Sequence, residues 1–461
     1  MGTLPDDVLL KIFKFFVDEA YSNDGASQEW CTLVHVCRRW RHLAFTSPRH
    51  LNLRLLCKTS EKSVDEMLDI WPELPIYVDI TDYPSISMKN RNNIVAALRL
   101  NHRVSRIRMR STGSRTWGIF APLMQHPFPA LTYLWVQPGY SYLNKIPCPF
   151  LGGSAPFLQD LHLARLPFPE LPELLLSSTN LVRLSYDDVP HSGYISPQEV
   201  ITGLSALTRL ESLSLTFRSS VWPPDISTRI TPPHSRAHLP ALTDLHFQGV
   251  PGYMDDLVAQ IDTPSLEKIE IWLFHREVLQ VSELAKFVRR ADKLSLVDRS
   301  EITVRWDHIY CSLPPKESTD PKALILELAR PESDVRLSYL AQFFASCLPT
   351  LSPFKDLHII APYDQSWEDV IDNPDPQWLD LLCLFNSMED LHLSYRAAFR
   401  VSKILRGLPA ERAAEVLPAL RNIYIATLSL RPHDPVVEAI SEFADARGHP
   451  VSVDFWFNDS M

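Results

Sequence analysis

One pattern constrains this chain more than any other: a proline or small residue, then leucines spaced L-x-x-L-x-L. It appears as Leu131-Thr132-Tyr133-Leu134-Trp135-Val136 and returns as Leu158…Leu161…Leu163, Leu181…Leu184…Tyr186 and Leu210…Leu213…Leu215. It continues as Leu242…Leu245…Phe247, Leu266…Ile269…Ile271, Phe354…Leu357…Ile359, Met388…Leu391…Leu393 and Leu420…Ile423…Ile425. Weaker copies begin near Val104, Ala291 and Ala323. The alternation within each copy is that of a short strand with one face inward. A spacing of roughly 23–34 residues leaves room for one return segment per strand, so each unit must bury its apolar face against its neighbours. The expectation is an α/β chain: a repeat solenoid built on a parallel sheet, with an irregular α/β domain as the other reading. The 38 prolines against 13 glycines fit many short elements.

Some return segments carry helix signals. Ser196, Pro197 and Glu199 form a capping box before Val200, Ile201, Leu204 and Leu207. A second helix is predicted from Leu337 through Leu340, Phe343, Phe344 and Leu348, and a last one after Asp434-Pro435, stopping at Gly448. Val451 to Phe457 reads as a closing strand.

The first 46 residues follow another rule. Leu4-Pro5-Asp6-Asp7 reads as a helix start, since proline suits the first position and acids favour the positive end of the helix dipole. Val8, Leu9, Ile12, Phe13 and Phe16 then recur at helical spacing as one apolar stripe, widened by Leu10 and Phe15. A polar segment over Tyr21–Glu29 separates it from a second helical stretch in which Leu33, Val36, Cys37, Trp40, Leu43 and Ala44 share a face. So few short helices cannot bury that surface alone. It belongs either to a cap on the following domain or to a docking face.

Leu4-Pro5-Asp6-Asp7-Val8-Leu9-Leu10-Lys11-Ile12-Phe13 resembles the opening of an F-box, and Leu33-Val34-His35-Val36-Cys37-Arg38-Arg39-Trp40-Arg41-His42-Leu43-Ala44 resembles its closing half. The segment 17–29 is longer than in compact members, and His50-Leu51 stands where relatives often have tryptophan. The repeats behind it resemble the irregular leucine-rich repeats of fungal-type F-box proteins, although no asparagine consistently follows the strands. The resemblance implies an F-box at residues 1–50 and a leucine-rich-repeat-like domain at 51–461. It further implies docking to a Skp-type adaptor, and through it to cullin and RING subunits. Leu4, Pro5, Leu9, Ile12, Phe13, Val36, Cys37 and Trp40 fall at positions that form the box core or touch that adaptor. The function implied is substrate recognition for an SCF-type ubiquitin ligase, with a non-ligase F-box scaffold as the alternative.

The target would be a protein held on the open strand face. Tyr133, Trp135, Arg183, His246, Trp272, His358, His392 and Tyr424 alternate with core positions there, as do Lys268, Glu270 and Asn422. Aromatics and arginine are frequent anchors at interfaces. Four strands repeat Asp-Leu-His: Asp160-Leu161-His162, Asp244-Leu245-His246, Asp356-Leu357-His358 and Asp390-Leu391-His392. The acid and imidazole of each share the open face, as a solubilising pair, a pH-sensitive partner surface or a metal site. His234 and His238 have helical ligand spacing but stand among prolines. Proline-rich insertions at 219–240 and 361–378, with Trp222, Trp367 and Trp378, are placed to cover an edge.

The net charge of −10 disfavours nucleic acid, whose binders carry basic faces. The local run Arg103, Arg106, Arg108, Arg110 and Arg115 reads either as a nucleic-acid patch or as a solvated strand face. There is no apolar run of membrane length and no signal-peptide pattern at the start, and seven cysteines without a close pair fit reduced thiols in cytoplasm or nucleus. No cofactor fingerprint, nucleophile motif or metal motif is present, so no enzymatic activity or cofactor is expected.

Overall fold

The computed structural model describes residues 4–22, 30–57, 73–81, 88–139, 145–218, 236–274, 282–295, 299–304, 308–313, 324–329, 336–347, 355–360, 377–406, 408–426, 434–447 and 450–456. The chain packs as two compact units, residues 1–195 with 202–210, and residues 196–201 with 211–461. His234, Trp222, Trp367, Leu348, Gly448, Phe457 and positions 23–29 lie outside the described residues.

The first unit opens with three helices, α1 (Asp6–Ser22), α2 (Cys31–Val36) and α3 (Arg38–Thr46). The Leu9 N–H donates to the Pro5 carbonyl at 3.1 Å, starting α1 where the sequence places it. The second helical stretch is two helices instead of one. Cys37 is extended (φ −160°, ψ 171°) and its Sγ accepts the Trp40 N–H at 3.5 Å, so a thiol caps α3.

A parallel sheet follows in sequence order: β1 (Leu55–Cys57), β2 (Ile76–Thr81), β3 (Val104–Thr112), β4 (Tyr133–Pro138), β5 (Asp160–Ala164) and β6 (Arg183–Val189). α4 (Met88–Arg99), α5 (Ser114–Phe120) and α6 (Leu171–Ser177) lie in the connections. Crossovers of this kind are what parallel neighbours require. The capping box before α7 (Pro197–Leu204) forms, with Glu199 N–H donating to Ser196 Oγ at 3.3 Å and Ser196 N–H to Glu199 Oε2 at 2.9 Å.

In the second unit β7 (Ser212–Phe217), β9 (Asp244–Gly249) and β11 (Lys268–Leu273) pair in parallel, and a two-residue ribbon joins β8 (Ala237–His238) to β10 (Ile261–Asp262). The sheet then departs from the expected parallel order. β11 pairs with β14 (Leu324–Ala329), β14 with β13 (His308–Leu313), and β13 with β12 (Arg299–Val304), the last two pairings antiparallel. Positions 305–307 separate β12 from β13. So short a link reverses the chain but cannot carry a parallel crossover, which needs a dozen residues or more. The repeat expected near Ala291 is a single turn of 3-10 helix, Asp292–Ser295, and the strand starts only at Arg299.

From β12 the parallel order resumes through β15 (Asp356–Ile360), β16 (Asp390–Ser394), β17 (Asn422–Ala426) and β18 (Ser452–Trp456). Around these strands are α8 (Pro251–Ala259), α9 (Ser282–Arg290), α10 (Arg336–Cys347), α11 (Gln377–Leu382), α12 (Tyr395–Leu405), α13 (Ala410–Glu415) and α14 (Pro435–Ala446). Asp434 caps α14 by accepting the Val436 N–H at 2.9 Å.

The repeat is visible in its hydrogen bonds. The Thr132 carbonyl accepts from both Gln159 and Asp160, and the Gln159 carbonyl from both Val182 and Arg183. The same two-donor junction recurs at Glu211, Thr243, Lys355 and Glu389. Backbone thus makes the links between neighbouring repeats. Asn101 and Asn180 also join neighbouring repeats, donating to the Pro127 and Pro156 carbonyls at 2.8 and 2.7 Å from the turns before the strands. Leu134, Leu161, Leu184, Leu213, Leu245, Ile269, Leu391 and Ile423 are all buried.

Candidate functional site

The helical segment presents two apolar faces, where its sequence suggests one. Leu9, Phe13 and Val17, at spacings of four, point inward and are buried, and Phe13 meets the half-buried Trp40 edge-on at 4.8 Å between ring centres. Ile12 lies about 100° round the helix from Phe13 and is 48% exposed; Phe15 is 72% exposed. Leu4 and Val36 are also open, at 46% and 53%. Pro5 and Cys37 are exposed as well. Of the proposed adaptor residues, Leu9 and Phe13 therefore build the core, Trp40 bridges, and Leu4, Ile12 and Val36 face outward. Phe15, the most exposed large apolar side chain among the described residues, joins them.

Polar contacts fix this face. Arg39 pairs with Asp6 (Nε to Oδ1 3.0 Å) and with the Leu4 carbonyl, tying α3 to the start of α1. Arg41 donates to the Val34 carbonyl at 2.9 Å, closing the end of α2. The fully buried Trp30 donates from Nε1 to the Arg54 carbonyl at 3.1 Å and anchors the segment to the entry of β1. Trp30 was not singled out by sequence because it sits alone beside a polar stretch, off any periodic stripe.

On the side of the first sheet opposite the leucine core, closed at β2 where Tyr77 and Asp79 are buried and partly open from β3 onward, side chains align across strands. One row runs Tyr77, Arg106, Tyr133, Asp160, Arg183, and the next Asp79, Arg108, Trp135, His162, Ser185. The Arg106 guanidinium lies 5.4 Å from the Tyr77 ring and 4.3 Å from the Tyr133 ring. Burial raises the Tyr133 phenol above its ordinary value, partly offset by Arg108. Arg183 pairs with Asp160. The arginines of β3 are therefore not simply solvated: Nε of Arg106, Arg108 and Arg110 is closed to water.

His162 stacks on Trp135 with ring centres 3.8 Å apart and is bonded to Ser185, which also bonds Asp187. Burial lowers the affinity of His162 for a proton, although Asp187 opposes this. Serine and aspartate approach the same ring nitrogen, Nδ1. A nucleophile relay needs them on opposite nitrogens, so this trio orients the imidazole instead. Sequence could not join residues 162 and 185–187, because the register of β5 on β6 does so.

In the second unit Glu270 lies between two predicted residues. It accepts from Trp272 Nε1 at 3.0 Å and stands 3.5 Å from His246 Nδ1; these contacts, His246 first, hold its carboxyl below the ordinary range. Further along, His358 stacks on His392 (4.0 Å, 8° between planes) and His392 on Tyr424 (4.5 Å, 16°). The two adjacent Asp-Leu-His strands, β15 and β16, thus align acid with acid and imidazole with imidazole. Asn422 donates to Asp390 at 2.6 Å. The rings lie face to face, and no group of three or more His, Cys, Asp or Glu among the described residues could hold a metal ion. No helix among the described residues is long and apolar enough to cross a membrane.

A comparison with curated proteins finds no match to this chain. A family model described as F-box-like matches residues 1–57, the segment that carries the exposed apolar face and ends in β1. The chain therefore carries an F-box-like domain at its N-terminal end.

Proposed function

We propose that residues 4–57 dock the chain onto a Skp-type adaptor and through it onto cullin and RING subunits, while the open strand faces hold a protein target for ubiquitin transfer. The observation that carries this reading is the placement of uncovered apolar surface. Leu4, Ile12, Phe15 and Val36 are four of the eight large apolar side chains exposed among the described residues, and all belong to the segment matching the F-box-like model. Apolar surface concentrated in that way marks a partner site. The chain's role is positioning: a target lysine held beside a charged carrier meets it as in a nearly unimolecular step. In this reading the chain is not an enzyme, uses no cofactor and works in cytoplasm or nucleus.

The test is co-purification of the full chain with a Skp-type adaptor and cullin, with Ile12→Asp as the control. The wild type is expected to bring down both and the variant neither. Capture of no adaptor by a folded wild-type chain would sink the reading. Ile12→Asp is a cleaner control than Leu9→Asp, because Leu9 is buried and an aspartate there would disrupt the fold.

A further inference from the structure

The three alternate arginines of β3, Arg106, Arg108 and Arg110, share the open face of the first sheet. Among the described residues none of them has a hydrogen bond or ion pair. Their neighbours supply one negative charge, Asp79, which lies beside Arg108 in register, has an unbonded buried Oδ1, and forms no ion pair with it. Burying cations without acceptors is unfavourable. With Nε shielded and each residue half-buried, the terminal guanidinium nitrogens are the reachable ends, a fork suited to carboxylate.

Spacing narrows the ligand. Alternate residues of a strand stand about 6.7 Å apart, and so do alternate side chains of an extended peptide. We infer that the β3 arginine row binds an acidic segment of the target in extended form, with carboxylates at alternate positions. This rests on the reading of the open face as the target surface, and it adds the chemistry recognised there. A single-stranded nucleic acid also offers regularly spaced anions, but its binders need free aromatic faces for base stacking. Here the Tyr133 face is taken by Arg106 and the Trp135 face by His162. Acids also bound the arginines on the β5–β6 side, where Asp160, Asp187 and Asp188 stand. A short peptide fits that limited width better than a long polyanion.

The experiment titrates the full chain with a fluorescent peptide bearing three glutamates at alternate positions, and with its isomer in which the three are consecutive. The alternating peptide should bind several-fold tighter, and salt should weaken it. Arg108→Gln and Arg110→Gln should each cost roughly tenfold, the scale of a lost charge-assisted hydrogen bond. Arg110 Nε has no hydrogen-bond partner among the described residues, so Arg110→Gln breaks no bond there, and a thermal melt matching wild type is expected to show its fold intact. Equal binding of both isomers, no loss in the two variants, or tighter binding of a single-stranded oligonucleotide would each overturn the inference. Adaptor capture is scored on the same proteins. A chain that captures adaptor but binds no acidic peptide refutes this inference alone, and a chain that binds the peptide but no adaptor refutes the ligase reading alone.

Discussion

Phe15→Ala separates docking from folding. A phenylalanine offers about 150–250 Å², and Phe15 is 72% exposed, so roughly 110–180 Å² of apolar surface awaits a partner. At about 25 cal/mol per Å² this is about 3–4 kcal/mol if fully covered. The alanine methyl retains part of that, which leaves about 2–3 kcal/mol, or roughly 30–150-fold in affinity. The free chain should not notice the change, since a surface substitution shifts stability by about 0.5 kcal/mol or less. Phe13→Ala is the reverse case. Phe13 is fully buried against Trp40, so its loss should destabilise the helices by about 3–5 kcal/mol. Calorimetric titration with purified Skp-type adaptor, beside thermal melts of the free proteins, measures both quantities. If Phe15→Ala binds adaptor within twofold of wild type, the outward face of α1 is not the docking face and the assignment built on it fails.

Three further outcomes follow from other parts of the molecule. Cys37 is exposed, while burial pushes the Cys57 thiol up to about 12; alkylation followed by mass spectrometry should modify Cys37 and spare Cys57, and bound adaptor should protect Cys37. His162 has its folded proton affinity lowered by burial, so the neutral ring favours folding. Its contribution is present above the ordinary value of 6.5 and is lost as pH falls below it; melts from pH 7.5 to 5 should show a decline that His162→Gln flattens. Arg447 is buried and donates to the carbonyls of Ala413, Val416 and Leu417, so Arg447→Ala should cost about 3 kcal/mol in denaturant unfolding by stranding them.

Most strands could be read from the chain because an L-x-L alternation is a local signal. The leucines at 134, 161, 184, 213, 245 and 391 are buried where the period places them. β14 begins at Leu324, where the weak copy near Ala323 stands, but β12 and β13 could not be read so, because their order is set by pairing between distant residues and by a link too short for a crossover. β1 and β2 precede the first clear repeat and carry no leucine hexad. The box shows the same limit at finer scale. Ile12 and Phe13 look alike in a helical stripe, and only packing against α3 turns one inward and leaves the other out.

The two candidate surfaces differ in the physics that opens them, and this bears on how they would be used. The face of α1 and α2 is apolar, so its attraction for a partner is short-ranged, indifferent to salt and proportional to area covered. The β3 row is charged, aromatic-backed and half-buried, so it acts over a Debye length and weakens as ionic strength rises. A chain with these two faces would hold its adaptor through buried area while sampling targets through charge. Between ~50 and 300 mM salt, adaptor affinity should therefore stay nearly constant while acidic-peptide affinity falls. Surface-resonance titrations of both ligands across that range compare the two directly. Parallel salt dependence for both would mean that the α1 face binds through Asp6, Asp7 and Arg39 and not through Ile12 and Phe15, and the apolar account of docking would have to be abandoned.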